Sequence, residues 1–361
     1  MAEPIHASAV PDDPPHGASE ALLATALRAA EAGYAPDWLI RWGIRQLLRS
    51  GLRERKSQEK SAESELIARL RRSPIAVETD RANRQHYALP PALFAQMLGP
   101  RLKYSCCHWP EGVQTLAQAE ESSLAQVAER AELRDGQEIL ELGCGWGSLT
   151  LWMGQHYPTA RITAVSNSAA QREFIEARAA VLGVSNVRVL TEDMNTFNSR
   201  RRFDRVVSIE MFEHMRNYEL LLARIADWLE PGGRLFVHIF VHGQASYLFE
   251  SRGPADWMST YFFSGGIMPS DGLLANFQRD LQLVQQWRLD GRHYERTANA
   301  WLRRFDENAA ALTPVLAQTY GAGEVTRWRN RWRIFLMACA EMFGFERGER
   351  WWVSHYLFAP R

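Results

Sequence analysis

The chain is 361 residues long and carries 42 basic against 42 acidic side chains, a formal charge of zero. That length leaves room for about two domains with a sizeable core. The charge balance removes the electrostatic signature of a nucleic-acid or anionic-membrane binder. Four cysteines, Cys106, Cys107, Cys144 and Cys339, match neither a disulfide framework nor a CxxC metal pair, so no metal site is expected and a reducing cytoplasm is. The start lacks a basic stretch followed by an apolar core, and no apolar run reaches the roughly 18 residues a membrane-spanning helix needs. A soluble cytoplasmic protein is the expectation.

Residues 1–17 hold Pro4, Pro11, Pro14 and Pro15 among small polar residues and read as a disordered tail. Helical spacing follows, first in Leu22, Leu23, Ala26, Leu27 and Ala30, then in Trp38, Leu39, Trp42, Ile44 and Leu47, which predicts an N-terminal helical region over 18–100. Within it, the charged run 53–65 reads as a solvated helix face or a mobile connection. From Asp135 short apolar strands alternate with amphipathic helices, the pattern of a parallel sheet covered on both faces. Strands are predicted at 138–142, 161–166, 187–191, 204–209 and 233–240. Helices are predicted near 148–156, 168–182 and 217–229, the last halted by Pro231-Gly232-Gly233. An α/β core over 101–243 results. After Gly243 come an aromatic-rich stretch, a strand at 281–289, two helices over 297–342 and a strand at 352–358, read as a helical cap and completion of the sheet over 244–361.

The first core strand runs straight into Glu141-Leu-Gly143-Cys144-Gly145-Trp-Gly147. Glycines there let the backbone take positive φ and approach a ligand, while Glu141 offers a carboxylate at the strand's end. A dinucleotide fingerprint would need glycine where Ser148 stands and an acid after the next strand, and neither is present. The other strands end at Ser166-Asn167, Glu192-Asp193 and Ile209-Glu210, so the polar signals gather at the carboxyl edge where open α/β sheets bind ligands. Plain connections also use glycine turns, and an acid such as Asp193 also caps turns.

Tyr104-Ser105-Cys106-Cys107, the Glu141–Gly147 turn, Ser166-Asn167-Ser168 and Glu210-Met-Phe-Glu213-His214 together resemble the S-adenosylmethionine-dependent methyltransferases that include cyclopropane fatty acid synthases and plant coclaurine N-methyltransferases. The likeness runs from about Asn83 onward and favours the coclaurine branch, through Lys103–Cys107, Glu213-His214-Met215, Asn217–Leu222 and Glu341-Met-Phe-Gly344. It implies the class I methyltransferase fold, Rossmann-like, with a seven-stranded sheet, the N-terminal helical region and a C-terminal helical cap insertion. It also implies that S-adenosylmethionine lies against Tyr104, Ser105, Glu141, Gly143, Cys144, Gly145, Asn167, Gln171, Asp193, Met194 and Ile209.

Glu210, Glu213 and His214 are the candidate catalytic groups. Spaced three and four apart they could converge on one face, drawing in an ammonium, accepting its proton and stabilising a cationic product. Glu213 could instead cap the next helix. The synthases typically carry glycine at the Glu210 position, so amine chemistry is the first expectation. His238, with Cys106, Glu213 and Tyr294, resembles the set that holds bicarbonate in the synthases, which keeps a lipid acyl chain as the alternative acceptor; His238 could equally be a hydrogen-bonded core histidine. Aromatic residues from Tyr247 to Phe263, with Trp287, Trp301, Trp328 and Trp332, read chiefly as core, some of them walling the acceptor pocket. A homodimer is left open, and a non-catalytic cofactor-binding protein is the minor alternative.

Overall fold

Strands β1 (Glu138–Leu142), β2 (Arg161–Ser166), β3 (Val187–Thr191), β4 (Phe203–Ile209), β5 (Leu229–His242), β8 (Leu281–Leu289) and β9 (Trp351–Pro360) form one sheet ordered β3-β2-β1-β4-β5-β9-β8. The structure, a computed structural model, describes residues 18–56, 61–77, 89–250, 253 and 256–361. The tail expected over 1–17 lies outside them. Strands β1 to β5 pair in parallel, and β9 runs antiparallel to both β5 and β8. A separate two-stranded ribbon joins β6 (Tyr247–Leu248) to β7 (Ile267–Met268). The apolar runs of β1, β2 and β4 suit a sheet buried on both faces. Helices Ser148–His156, Ala169–Leu182 and Tyr218–Trp228 provide the cover, the latter two capped by Ser168 and Asn217 side chains.

The chain steps outward from β1 to β3, then returns to place β4 on the other side of β1. Strand order therefore switches between β1 and β4, and a crevice forms beyond their carboxyl ends. Gly143 makes that crevice feasible. It sits at φ +79°, and a Cβ there would lie 2.6 Å from the Cβ of Met211, so the turn after β1 and the turn after β4 touch backbone to side chain.

Three details depart from expectation. The helix predicted over 217–229 ends at Trp228, and Pro231-Gly232-Gly233 already belongs to β5. Leu229 pairs with Phe203 and the ladder resumes at Arg234 with Arg205, so the residues between form a bulge that tolerates a proline with no N–H to donate. The two C-terminal helices are three, Arg292–Glu307, Ala309–Tyr320 and Val325–Gly344, with Gly321 at φ +96° making the second break. Helix Leu116–Arg130 was not foreseen, although Thr115 and Gln118 make a capping box that is legible in the sequence.

The helices Ala18–Glu31 and Asp37–Lys56 pack on Val325–Gly344 and make one helical layer with it. Arg331 reaches Glu31 at 3.0 Å, and Trp257 Nε1 donates to the same carboxylate at 2.8 Å. Within the charged run, Glu63 is a docking group on helix Ser61–Arg72 and not merely a solvated one. It accepts from the Ser246 and Ser270 hydroxyls at 2.9 and 2.8 Å. Among the described residues no helix is long and apolar enough to cross a membrane.

Candidate active site

A cavity runs from the crevice at β1 and β4 into the helical layer. The exit of β1 contributes Glu141, Gly143, Cys144 and Gly145 to its wall; the exit of β2, Asn167 and Gln171; that of β3, Asp193 and Met194; and that of β4, Ile209. Tyr104 and Ser105 face them from the loop before helix Leu116–Arg130. Gly147 does not line this wall. Its φ of +78° and a virtual Cβ 2.7 Å from Ile175 make it a packing glycine for helix Ala169–Leu182. Burial lifts the Glu141 carboxyl to about 7, a hydrogen bond from Thr150 opposing the rise. Gln171 accepts from the Ser166 hydroxyl at 2.6 Å, and Asp193 accepts from the Asn195 N–H at 2.7 Å. Carboxyl groups, amides and a glycine turn of this kind offer acceptors for ribose hydroxyls, an α-ammonium and an adenine amino group, so the wall fits S-adenosylmethionine.

Beyond Ile209 the chain turns sharply, with Glu210 at φ +47°. That left-handed backbone, unusual for a residue with a Cβ, aims the carboxylate into a cradle of three polar groups. Oε1 accepts the Cys106 N–H at 2.8 Å and lies 3.2 Å from His238 Nε2; Oε2 accepts the Tyr294 hydroxyl at 2.7 Å. Burial raises the Glu210 pKa. The Lys103 ammonium, the Cys106 N–H, the Tyr294 hydroxyl and His214 pull it back. Lys103 is itself buried, its Nζ donating to Ser105 Oγ and the Cys106 carbonyl, both at 2.6 Å.

The three candidate catalytic groups do not all converge. Glu210 and His214 line the cavity; Glu213 is fully buried behind it. The segment is a 3-10 turn, Phe212–His214, which turns Glu213 toward β5, where its Oε1 accepts the Phe240 N–H at 3.0 Å. Burial, then the neighbouring Glu210, push the Glu213 pKa well up. It does not cap the next helix, since Asn217 does. His214 lies against Phe263, ring centroids 4.8 Å apart, and burial lowers its pKa to about 4 despite Glu210.

Cys106, His238 and Tyr294 do meet, but around the Glu210 carboxylate. Cys106 takes part through its backbone N–H; its buried thiol has its pKa raised by burial and by Glu210. Phe240, Phe249, Phe263, Trp301, Phe335 and Phe343 give the far wall aromatic faces, while Trp257, Trp328 and Trp332 belong to the core. Sequence reasoning missed two contributors, Lys103 and Thr150. Lys103 had a signal, being one of three lysines in an arginine-rich chain. Thr150 had none that a linear pattern reveals.

Residues 76–350 match the family model described as mycolic acid cyclopropane synthetase. The chain is 37% identical over 350 residues to (S)-coclaurine N-methyltransferase of Thalictrum flavum subsp. glaucum, covering 95% of this chain and 97% of the relative. It is 29% identical over 272 residues to cyclopropane-fatty-acyl-phospholipid synthase of Escherichia coli strain K12, covering 75% of this chain and 66% of that one. A solved coclaurine N-methyltransferase bound to N-methylheliamine and SAH superimposes with a TM-score of 0.88 at 35% identity, covering 95% of this chain and all of that one.

Proposed function

The chain belongs to the mycolic acid cyclopropane synthetase family and is an S-adenosylmethionine-dependent methyltransferase; from that premise we propose that it methylates the nitrogen of a hydrophobic small-molecule amine. The observation that carries this reading is the Glu210 carboxylate, seated on Cys106 N–H, His238 and Tyr294 at the cavity wall. A fixed carboxylate suits an acceptor that arrives as a cation. The same three donors would have to be vacated for bicarbonate to bind, which disfavours a lipid acyl acceptor.

When bound, the cofactor supplies a methyl group on a sulfonium, open to in-line displacement by an uncharged amine. The chain's own work is to deliver that amine. Tyr104, Ser105, Glu141, Gly143, Cys144, Gly145, Asn167, Gln171, Asp193, Met194 and Ile209, which line the cavity, would hold the cofactor. The aromatic wall excludes water and favours a cationic nitrogen. Glu210 draws in the ammonium and accepts its N–H proton, leaving the nitrogen lone pair free. Its raised pKa narrows the gap to that of the amine and makes it the better base. His214, neutral at pH 7, accepts a hydrogen bond from the acceptor and orients it. Glu213 acts through the backbone, tying the turn to β5.

Glu210→Gln and His214→Ala should lower kcat by about 10²-fold or more, with the cofactor Kd within about threefold of wild type; calorimetry and labelled methyl transfer read the two quantities. Unchanged turnover in both variants removes the assigned roles. Incubation with methyl-labelled cofactor and separate amine and lipid extracts should place label in the amine fraction. Label confined to the lipid fraction overturns the amine reading.

A further inference from the structure

His238, whose Nε2 lies 3.2 Å from Glu210 Oε1, is the near end of a hydrogen-bonded row that crosses the sheet. Register places Ile209, His238, His355 and Trp287 side by side on β4, β5, β9 and β8. His355 Nε2 lies 2.8 Å from His238 Nδ1, and Arg130 Nη1 lies 2.9 Å from His355 Nδ1. The Arg130 guanidinium, at the end of helix Leu116–Arg130, also rests 5.2 Å from the Trp287 ring centroid at the sheet's edge. Both imidazoles are buried, His238 at 0% and His355 at 1% exposure.

The direction of this row follows from chemistry alone. A guanidinium only donates, so His355 Nδ1 accepts. A neutral His355 then carries its hydrogen on Nε2 and donates to His238 Nδ1. His238 in turn carries its hydrogen on Nε2, where it meets Glu210. Neutrality of both rings agrees with their burial, which, joined by the charges of Arg130 and Lys103, holds their pKa values well below the usual 6.5.

We propose that Arg130 and His355 are positioning residues that fix His238 as the Nε2–H tautomer, giving Glu210 a permanent donor and closing the interior to its proton. A proton accepted by Glu210 cannot pass to His238 Nε2, which is already occupied. Shifting the row outward would require His355 Nδ1 to carry hydrogen against the Arg130 donor. The proton therefore leaves on the cavity side, where His214 lies. The role rests on Glu210 acting as the base, but the tautomers can be read without any substrate.

The test is histidine ¹⁵N chemical shifts and the Glu210 ¹³C-carboxyl titration in the full chain, assigned with H238Q, H355N and E210Q, in wild type, R130M and R130K. Wild type should show both rings as Nε2–H across pH 6–8. Arg130→Met keeps a stem on Trp287 but removes the donor; it should mix the tautomers and raise the Glu210 midpoint by about one pH unit, as loss of a donor to the charged form does. Arg130→Lys should restore both. The other charges facing Glu210 are unchanged in these variants: Lys103 and Cys106 from the loop, Glu213 and His214 from its own turn, Tyr294 and Cys339 from the helical layer. His108, which also faces His355, is followed in the same spectra. A wild-type His355 protonated on Nδ1, or an R130M spectrum and Glu210 midpoint identical to wild type, overturns the proposal; the wild-type arm decides even if R130M does not fold. Failure to methylate any amine would leave both spectroscopic readouts standing and count against the base role alone.

Discussion

Glu210 bears two opposing costs. Its φ of +47° is strained for a residue with a side chain, by about 1–3 kcal/mol. Its carboxylate satisfies three donors, each of which costs about 1–3 kcal/mol if buried without a partner. Three donors outweigh one dihedral. Glu210→Gly should therefore lower stability by about 2 kcal/mol or more in urea titration, although glycine suits the backbone better. The carboxylate must be ionised to draw in a cation, and burial raises its pKa, so kcat/KM should fall as pH drops through a value above the usual carboxylate range; a limb at or below 4 would contradict this. Glu210 and His214 were legible as site residues because they follow a strand end. The place of Glu213 was not, because spacing does not distinguish an α-turn, which would have grouped it with them, from the 3-10 turn that hides it.

At the level of elements, the alternation of strand and helix from Glu138 to Trp228 was readable almost to the residue, since its strands are largely apolar and two of its three helices carry side-chain caps, whereas the β6–β7 ribbon and the third C-terminal helix were not read. The β5 bulge was not readable, because Pro231-Gly232-Gly233 ends a helix and enters a strand with the same residues. The cross-sheet row was equally hidden: His238 and His355 are 117 positions apart and meet only through β-register. The contact between the turns after β1 and β4 has a direct consequence. Gly143→Ala would force a Cβ into Met211, beside Glu210, at a φ that alanine disfavours. It should cost about 2 kcal/mol of stability and weaken cofactor binding at least tenfold, measured by calorimetry.

Across the whole molecule, helices Ala18–Glu31 and Val325–Gly344 share one layer over the sheet's ligand edge, held by the Glu31–Arg331 pair. Arg331 stacks on Tyr261 at 3.9 Å and on Trp328 at 4.9 Å, while Glu31 also accepts from Trp257. Both charges are nearly buried, with 7% and 8% exposure. Removing one partner leaves the other without its ion pair in a dry site, so Arg331→Ala should cost about 3–5 kcal/mol. The double variant Glu31→Leu with Arg331→Met should recover much of that in denaturant titration. The helical character of each end was plain from the sequence, but their union was not, because it joins residues 300 positions apart.

The cradle around Glu210 has one more property. Its donors come from the 103–107 loop, from β5 and from helix Arg292–Glu307, so shortening residue 210 should not dismantle it. What Glu210→Gly leaves is a socket the size of a carboxylate group. Millimolar formate or bicarbonate should enter it and raise the melting temperature of that variant in proportion to the logarithm of anion concentration, while leaving the native protein, whose plug is tethered, unmoved.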